Sequence, residues 1–299
     1  MYLAMSLDPT SDPDLQYAQQ LGIDWIIADP PDWKAETLAA ICNRVRQAGL
    51  RLAGLECLPP QLCRGTGRAE PQHEKALATV CQLLRVLGDL GVPMVGYRWF
   101  ASTSAPTMFN LEQRGRAPTT LHAHAEDYTA TDAIEGDWSD LGGFLSEIMP
   151  VAEASQVRLA HQVGLPDAPG LRQQGAPLAP LQRLLALSHN AAHGLDLDHG
   201  FFAQALGVDA TAIIGDLCRQ EKVFAVRLRS LWPAPGGLAE HFLDEDSVAL
   251  LRHLQAYQDA GFQGPVRVAS PRVGEDTPAG HTGQAFSIGY VRALLQAIA

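Results

Sequence analysis

The chain has 299 residues, 46% of them hydrophobic, and a net charge of −11 from 22 basic and 33 acidic side chains. An acidic balance without any basic run excludes nucleic acid as an expected partner and mainly serves solubility. No apolar run reaches membrane-spanning length and no basic-then-apolar leader opens the sequence, so no membrane partner is expected. The five cysteines are odd in number and lack metal-finger spacing, as in a reduced cytoplasmic protein.

Short apolar runs alternate with helical patterns along the chain. The first strand lies near 2–6, and Asp12-Pro13 opens a helix that runs to about Leu21, with Gly22 as its stop. Trp25-Ile26-Ile27-Ala28 reads as the second strand, 35–48 as a helix closed by Gly49, and Arg51 to Glu56 as the third strand. A helix over about 71–90 leads through Gly91-Val92-Pro93 into a fourth strand at 94–97. The stretch 98–137 breaks the rhythm. It is long, polar and Thr-rich, and reads as a loop excursion: a lid over a site or an insertion.

The rhythm resumes with a helix at about 139–154, a fifth strand at 157–161 and a helix at 177–190. The sixth strand ends in His193-Gly194-Leu195-Asp196-Leu197-Asp198-His199-Gly200. A helix near 208–219, a seventh strand at 223–229, a loop at 230–243 and a helix at 244–260 follow, then an eighth strand at 264–269 and a last helix from about 284. Eight strand–helix units in order predict a (β/α)8 TIM barrel, with residues 1–299 as a single domain. No Gly-rich dinucleotide fingerprint follows the first strand, which argues against an open doubly wound sheet.

Strand alternation selects the inward set. Leu195 and Leu197 point one way, Asp196 and Asp198 the other. The same alternation turns Val157, Leu159 and His161 inward on strand five, Arg227 and Arg229 on strand seven, and Arg267 and Ala269 on strand eight. One cavity at the strands' C-terminal ends is therefore expected to hold Glu56, His161, Asp196, Asp198, Arg227 and Arg229. Two readings of the charges stay open. The aspartates can pair with the arginines as a buried ion network, or the arginines can clamp the carboxylate of an acidic ligand. His122, His124 and His253 read as solvated surface residues.

A scattered pattern over most of the chain resembles the mannonate dehydratase family of xylose-isomerase-like barrels. It is carried by Ile148 to Glu153, Val157 to His161, Gly194 to Gly200, Glu240-His241-Phe242, Gly261 to Gly264 and Gly283 to Tyr290, with Arg114-Gly115-Arg116-Ala117 similar to the family's Arg-Gly-Gly-Ala loop. The resemblance implies dehydration of D-mannonate to 2-keto-3-deoxygluconate around a divalent metal, typically manganese, held by His, Cys, His and Asp. Carried over residue by residue, it implies His161 and Asp198 as metal ligands and Arg229, His281 and Tyr290 as catalytic residues, with His241 as a substrate contact; the inward Glu56, Arg227 and Arg229 are expected to contact the substrate from the barrel mouth. The remaining two ligand positions carry Arg227 and Ala269, and a family tyrosine is replaced by His281. Manganese is therefore expected to bind weakly or not at all. Three functions compete: a sugar-acid hydro-lyase, a metal-free barrel that binds a sugar acid or another small anion, and a sugar isomerase or epimerase. A homo-oligomer is left open.

Overall fold

Eight parallel strands close into the expected barrel. The computed structural model describes residues 1–59, 62–63, 73–99, 107–113, 117–123, 131–163, 178–206, 210–234, 237–269 and 278–299. In chain order the strands are β1 (Tyr2–Leu7), β2 (Trp25–Ala28), β3 (Arg51–Cys57), β4 (Met94–Tyr97), β5 (Thr107–Gln113), β6 (Ala117–Ala123), β7 (Arg158–Val163), β8 (His193–Asp198), β9 (Val223–Leu228), β10 (Ser230–Ala234), β11 (Gly237–His241) and β12 (Pro265–Val268). Around the barrel they run β1-β12-β9-β8-β7-β4-β3-β2. The helices are α1 (Asp12–Gln20), α2 (Ala35–Gln47), α3 (His73–Asp89), α4 (Thr131–Ala154), α5 (Leu178–Ala186), α6 (His199–Leu206), α7 (Thr211–Arg219), α8 (Ser247–Asp259) and α9 (Pro278–Ile298).

Local chemistry explains the punctuation. Ser11 caps α1 by accepting from the Asp14 amide at 3.3 Å, Pro13 sits in the first turn, and Asp12 and Asp14 face the positive end of the helix. Gly22 and Gly49 terminate α1 and α2 with φ of +64° and +70°, where a side chain is disfavoured. The main core lies between the outer strand faces and the helices, with Val95, Leu159, Leu195, Leu197 and Val226 against Leu84, Phe144 and Leu145. A smaller cluster of Ile27, Ala53, Met94, Ala160, Phe224 and Ala225 fills the barrel interior.

The segments read as loops at 98–137 and 230–243 instead supply four strands. β5 pairs with β6, β6 with β11 and β11 with β10, forming a second, antiparallel sheet beside the barrel. Each hairpin alone is short. Its pairing partner is more than a hundred residues away, so no local pattern announces the sheet. The helix expected from 139 begins at Thr131, and α6 starts directly at His199, where a turn was expected. The Arg114-Gly115-Arg116 run and the stretch 164–177 lie outside the described residues.

Strand β7 is turned over relative to the reading of the sequence. Tyr97, His161 and Leu195 are register partners and share a face, while Gln162 pairs with Asp196 on the other. His161 therefore sits in the helix layer, edge-on to the Tyr97 ring at 4.8 Å, and Gln162 takes the inward place. Both faces of this strand are buried: Leu159 and Ala160 each have no exposure. A hydrophobic pattern cannot select a register when both faces are apolar.

Three histidines are buried in this layer or beside it. His193 donates through Nδ1 to the Ser188 carbonyl (3.4 Å) and accepts the Tyr97 hydroxyl at Nε2 (2.9 Å). His199 meets Tyr257 at 3.3 Å and His253 at 2.8 Å, so His253 is a half-buried partner and not the solvated residue expected. Burial, above all, depresses the pKa values, to about 3 for His161, about 4 for His193 and about 3 for His199.

Two outcomes follow from these features. An added Cβ at Gly49 meets nothing within 4 Å, so Gly49→Ala pays only the backbone strain and should lower unfolding stability by about 1–2 kcal/mol, with Gly49→Asn costing less. Urea denaturation measures the difference. The histidines make stability depend on pH. The unfolded chain takes up protons on these rings below about 6.5, whereas the folded chain holds them neutral down to pH 3–4. Stability should therefore fall as pH drops from 7 toward 5, with a limiting slope of about 1.4 kcal/mol per pH unit for each such ring. His193→Gln should flatten that dependence; an unchanged slope would show that its ring is protonated in the fold.

Candidate active site at the barrel mouth

The inward side chains near the strands' C-terminal ends form one hydrogen-bonded ion cluster. Its centre is Arg267 on β12, 2% exposed. The Arg267 Nη1 donates to Glu56 Oε1 on β3 at 2.6 Å and to Ser6 Oγ on β1 at 3.2 Å. Its Nη2 donates to Asp196 Oδ2 on β8. Ser6 in turn donates to Glu56 at 2.5 Å. Gln162 ties the carboxylates together: its Nε2 approaches Glu56 at 3.3 Å and Asp196 at 3.2 Å, while its Oε1 accepts from Arg98 Nε at 2.8 Å.

Arg227 on β9 is the register partner of Arg267. It reaches Glu56 Oε2 through one contact at 3.3 Å, and its side chain keeps 23% exposure. The Arg267 charge, and then burial, lower its pKa, with Glu56 and Asp196 opposing. Glu56 shows the reverse balance. Burial raises its pKa, but Arg267 and Arg227 outweigh that and hold it at about 2. Burial also works against the Arg267 charge, and Asp196 and Glu56 more than compensate, so its pKa is raised. These groups are fixed charges at neutral pH.

A second group stands beside the first. Arg229 places Nε 3.2 Å from Asp198 Oδ2 and Nη1 3.2 Å from Glu240 Oε2 on β11, and so bridges the barrel to the second sheet. Asp198 is doubly committed, because its Oδ1 also accepts from the Phe201 amide (3.4 Å) as the N-cap of α6.

The sequence-selected residues thus divide. Glu56, Asp196, Arg227 and Arg267 join one cluster and Asp198 and Arg229 its neighbour. The expected Asp196 partner is Arg267, not Arg227. His241 lies on the opposite face of β11 from Glu240, paired with Glu245 at 2.8 Å and stacked on Trp232 at 5.0 Å. His281 is exposed on α9, stacked on Tyr17 of α1 at 4.4 Å. Tyr290 packs against the main core with Phe286. Ser6, Arg98 and Gln162 escaped the sequence reading. Ser6 was accessible by counting two residues from Ala4, but Gln162 needed the β7 register.

At the positions to which the resemblance assigned metal ligands, His161 faces the helix layer, Asp198 holds Arg229 and caps α6, Arg227 is a cation and Ala269 a methyl. Among the described residues no group of three or more His, Cys, Asp or Glu stands where it could hold a metal ion. No described helix is long and apolar enough to cross a membrane.

Comparison with known proteins agrees with this architecture. Residues 112–299 match the family model described as D-mannonate dehydratase (UxuA). Mannonate dehydratase 2 of Halalkalibacterium halodurans is 24% identical, covering 87% of each chain. Mannonate dehydratase of Brachyspira hyodysenteriae is 24% identical over 79% of this chain and 77% of its own. The crystal structure of mannonate dehydratase from Streptococcus suis serotype2 superposes with a TM-score of 0.82 at 18% identity, covering 100% of this chain and 95% of that one. The fold, the order of its strands and the sequence match together make this chain a member of the D-mannonate dehydratase (UxuA) family.

Proposed function

We propose that this chain is a sugar-acid-binding member of the family in which arginine has taken the place of the divalent metal, and in which dehydration of D-mannonate is weak or absent. The observation that carries this reading is Arg227: an inward, partly exposed guanidinium beside Arg267, with one carboxylate contact among the described residues. The donor set does not fit the divalent cation implied by the resemblance. One imidazole is turned away, one carboxylate is occupied, and Arg227 would oppose each unit of metal charge by about 4 kcal/mol at ~4 Å and an effective dielectric of ~20. A guanidinium suits a ligand carboxylate, because it presents parallel N–H donors and never loses its charge near neutral pH. The sugar acid itself is suggested by the family and by relatives named mannonate dehydratase.

Several further features belong to the same reading. Residues 1–299 act as one unit, since Arg229–Glu240 and the cluster of Phe201, Leu231 and Leu238 join barrel and second sheet. No disulfide links any of the five cysteines, which supports a cytoplasmic setting. The Halalkalibacterium and Streptococcus proteins carry the name of a dehydratase, so the hydro-lyase remains the reading to beat.

Elemental analysis of protein purified without chelator should find manganese and zinc well below one per chain, and D-mannonate with added manganese should give no 2-keto-3-deoxygluconate above the blank. Calorimetric titration should show D-mannonate binding that EDTA leaves unchanged. Stoichiometric metal together with turnover would overturn the metal-free reading and restore the hydro-lyase.

Arg227→Gln supplies an independent check. Loss of a charge-assisted contact should weaken D-mannonate binding by roughly 10- to 100-fold. Thermal stability should scarcely move, because a partly exposed pair at 3.3 Å contributes little and a like-charge neighbour of Arg267 is removed. Unchanged affinity would remove Arg227 from the site.

A further inference from the structure

A cavity of about 330 Å³ lies between α5 and α7, at the N-terminal feet of β8 and β9 and so at the opposite end of the barrel from the arginine cluster. Leu181 and Leu185 stand one turn apart on α5, and Ile213 and Leu217 one turn apart on α7, so each helix gives the cavity a pair of aliphatic side chains. Leu181 and Leu217 are buried, and Leu185 and Ile213 are half-buried. The volume is in the range of small-molecule sites and well above that of one water.

One end of this apolar space is cationic. The lining includes the Lys222 ammonium, whose Nζ donates to the Asn190 and His193 carbonyls, each at 3.0 Å. An ammonium has three N–H donors, so the third has no acceptor among the described residues. The two tethers already fix the side chain, so a ligand that meets the third donor orders little more. Burial lowers the Lys222 pKa, and a partner of opposite charge works against that cost. The lining carboxylate, Asp216, is matched on its own helix by Arg219 at 2.5 Å.

The chemistry of the occupant is therefore restricted. A cation would be repelled by Lys222 and would find Asp216 already neutralised. A polyol would leave hydroxyls unmatched against four aliphatic side chains. An aliphatic chain with one anionic head suits both ends together. We propose that the cavity between α5 and α7 is a second ligand site, for a small aliphatic carboxylate whose head accepts from Lys222 Nζ and whose chain lies among Leu181, Leu185, Ile213 and Leu217. The site uses no residue of the mouth and stands or falls apart from the sugar-acid reading.

Calorimetric titration of the full chain with octanoate tests it, with octylammonium as the probe of the head and acetate as the probe of the chain. The wild type should take up one octanoate per chain with a Kd below about 1 mM, and should bind the other two at least about tenfold more weakly. Lys222→Met should weaken octanoate binding at least about tenfold. Ala186→Trp, which fills the cavity from the exposed edge of α5 and leaves Lys222 in place, should abolish it. Arg227→Gln, at the mouth, should leave octanoate binding unchanged; a loss there puts the octanoate carboxylate on Arg227 and overturns the proposal. Absence of octanoate binding, equal binding of octylammonium, or indifference to Ala186→Trp would each overturn it as well. Should Lys222→Met not fold, because two carbonyls lose their donor, octylammonium and Ala186→Trp decide.

Discussion

The mouth of this barrel depends on a single buried cation. Arg267 lies 2% exposed between Glu56 and Asp196, which come from strands on different sides of the barrel. A charge so deeply buried is tolerated only when it is paired and its hydrogen bonds are met, and removal of one partner leaves the rest uncompensated. Ser6 and Gln162 supply the neutral hydrogen bonds that complete the cluster from β1 and β7. Six barrel strands, β1, β3, β7, β8, β9 and β12, are thus committed to one electrostatic arrangement. The charge of any one member sets what its neighbours must be.

That arrangement decides what kind of ligand the mouth can take. Glu56 is held ionised by two arginines and Arg227 is pressed by Arg267; on the proposed reading, an incoming carboxylate meets Arg227 where the family's metal is implied. Arginine fixes a planar carboxylate by direction as well as by charge. A hydrated divalent ion would need several oxygen or nitrogen donors converging on one point, and here those donors already serve guanidinium groups or a helix cap.

The second sheet is attached by the same kind of contact. Arg229 holds Asp198 at the end of β8 and Glu240 on β11, while Asp198 also caps α6. Phe201 of α6 packs with Leu231 and Leu238 of the β10–β11 hairpin, so the cap, the helix and the sheet support one another. Asp198, expected from the resemblance as a metal ligand, joins the barrel to α6 and, through Arg229, to the second sheet. Its carboxylate supplies the acceptor that both the helix N-terminus and the arginine require in that place.

By itself the sequence determined the repeating strand–helix order, the glycine stops such as Gly22 and Gly49, and the inward direction of Asp196, Asp198, Arg227 and Arg267. Each of these follows from a local rule: helix capping, backbone freedom, or period-two alternation between an apolar and a charged face. The tertiary structure alone decided three things. It turned β7 so that Gln162, not His161, faces the mouth, because both faces of that strand are buried and alternation is silent there. It paired two distant hairpins into a sheet, since strand pairing across more than a hundred residues leaves no local trace. And it gave Asp196 to Arg267, while sending His281 and Tyr290 to the contacts of α9, because which charges meet depends on the closure of the barrel and not on their spacing along the chain.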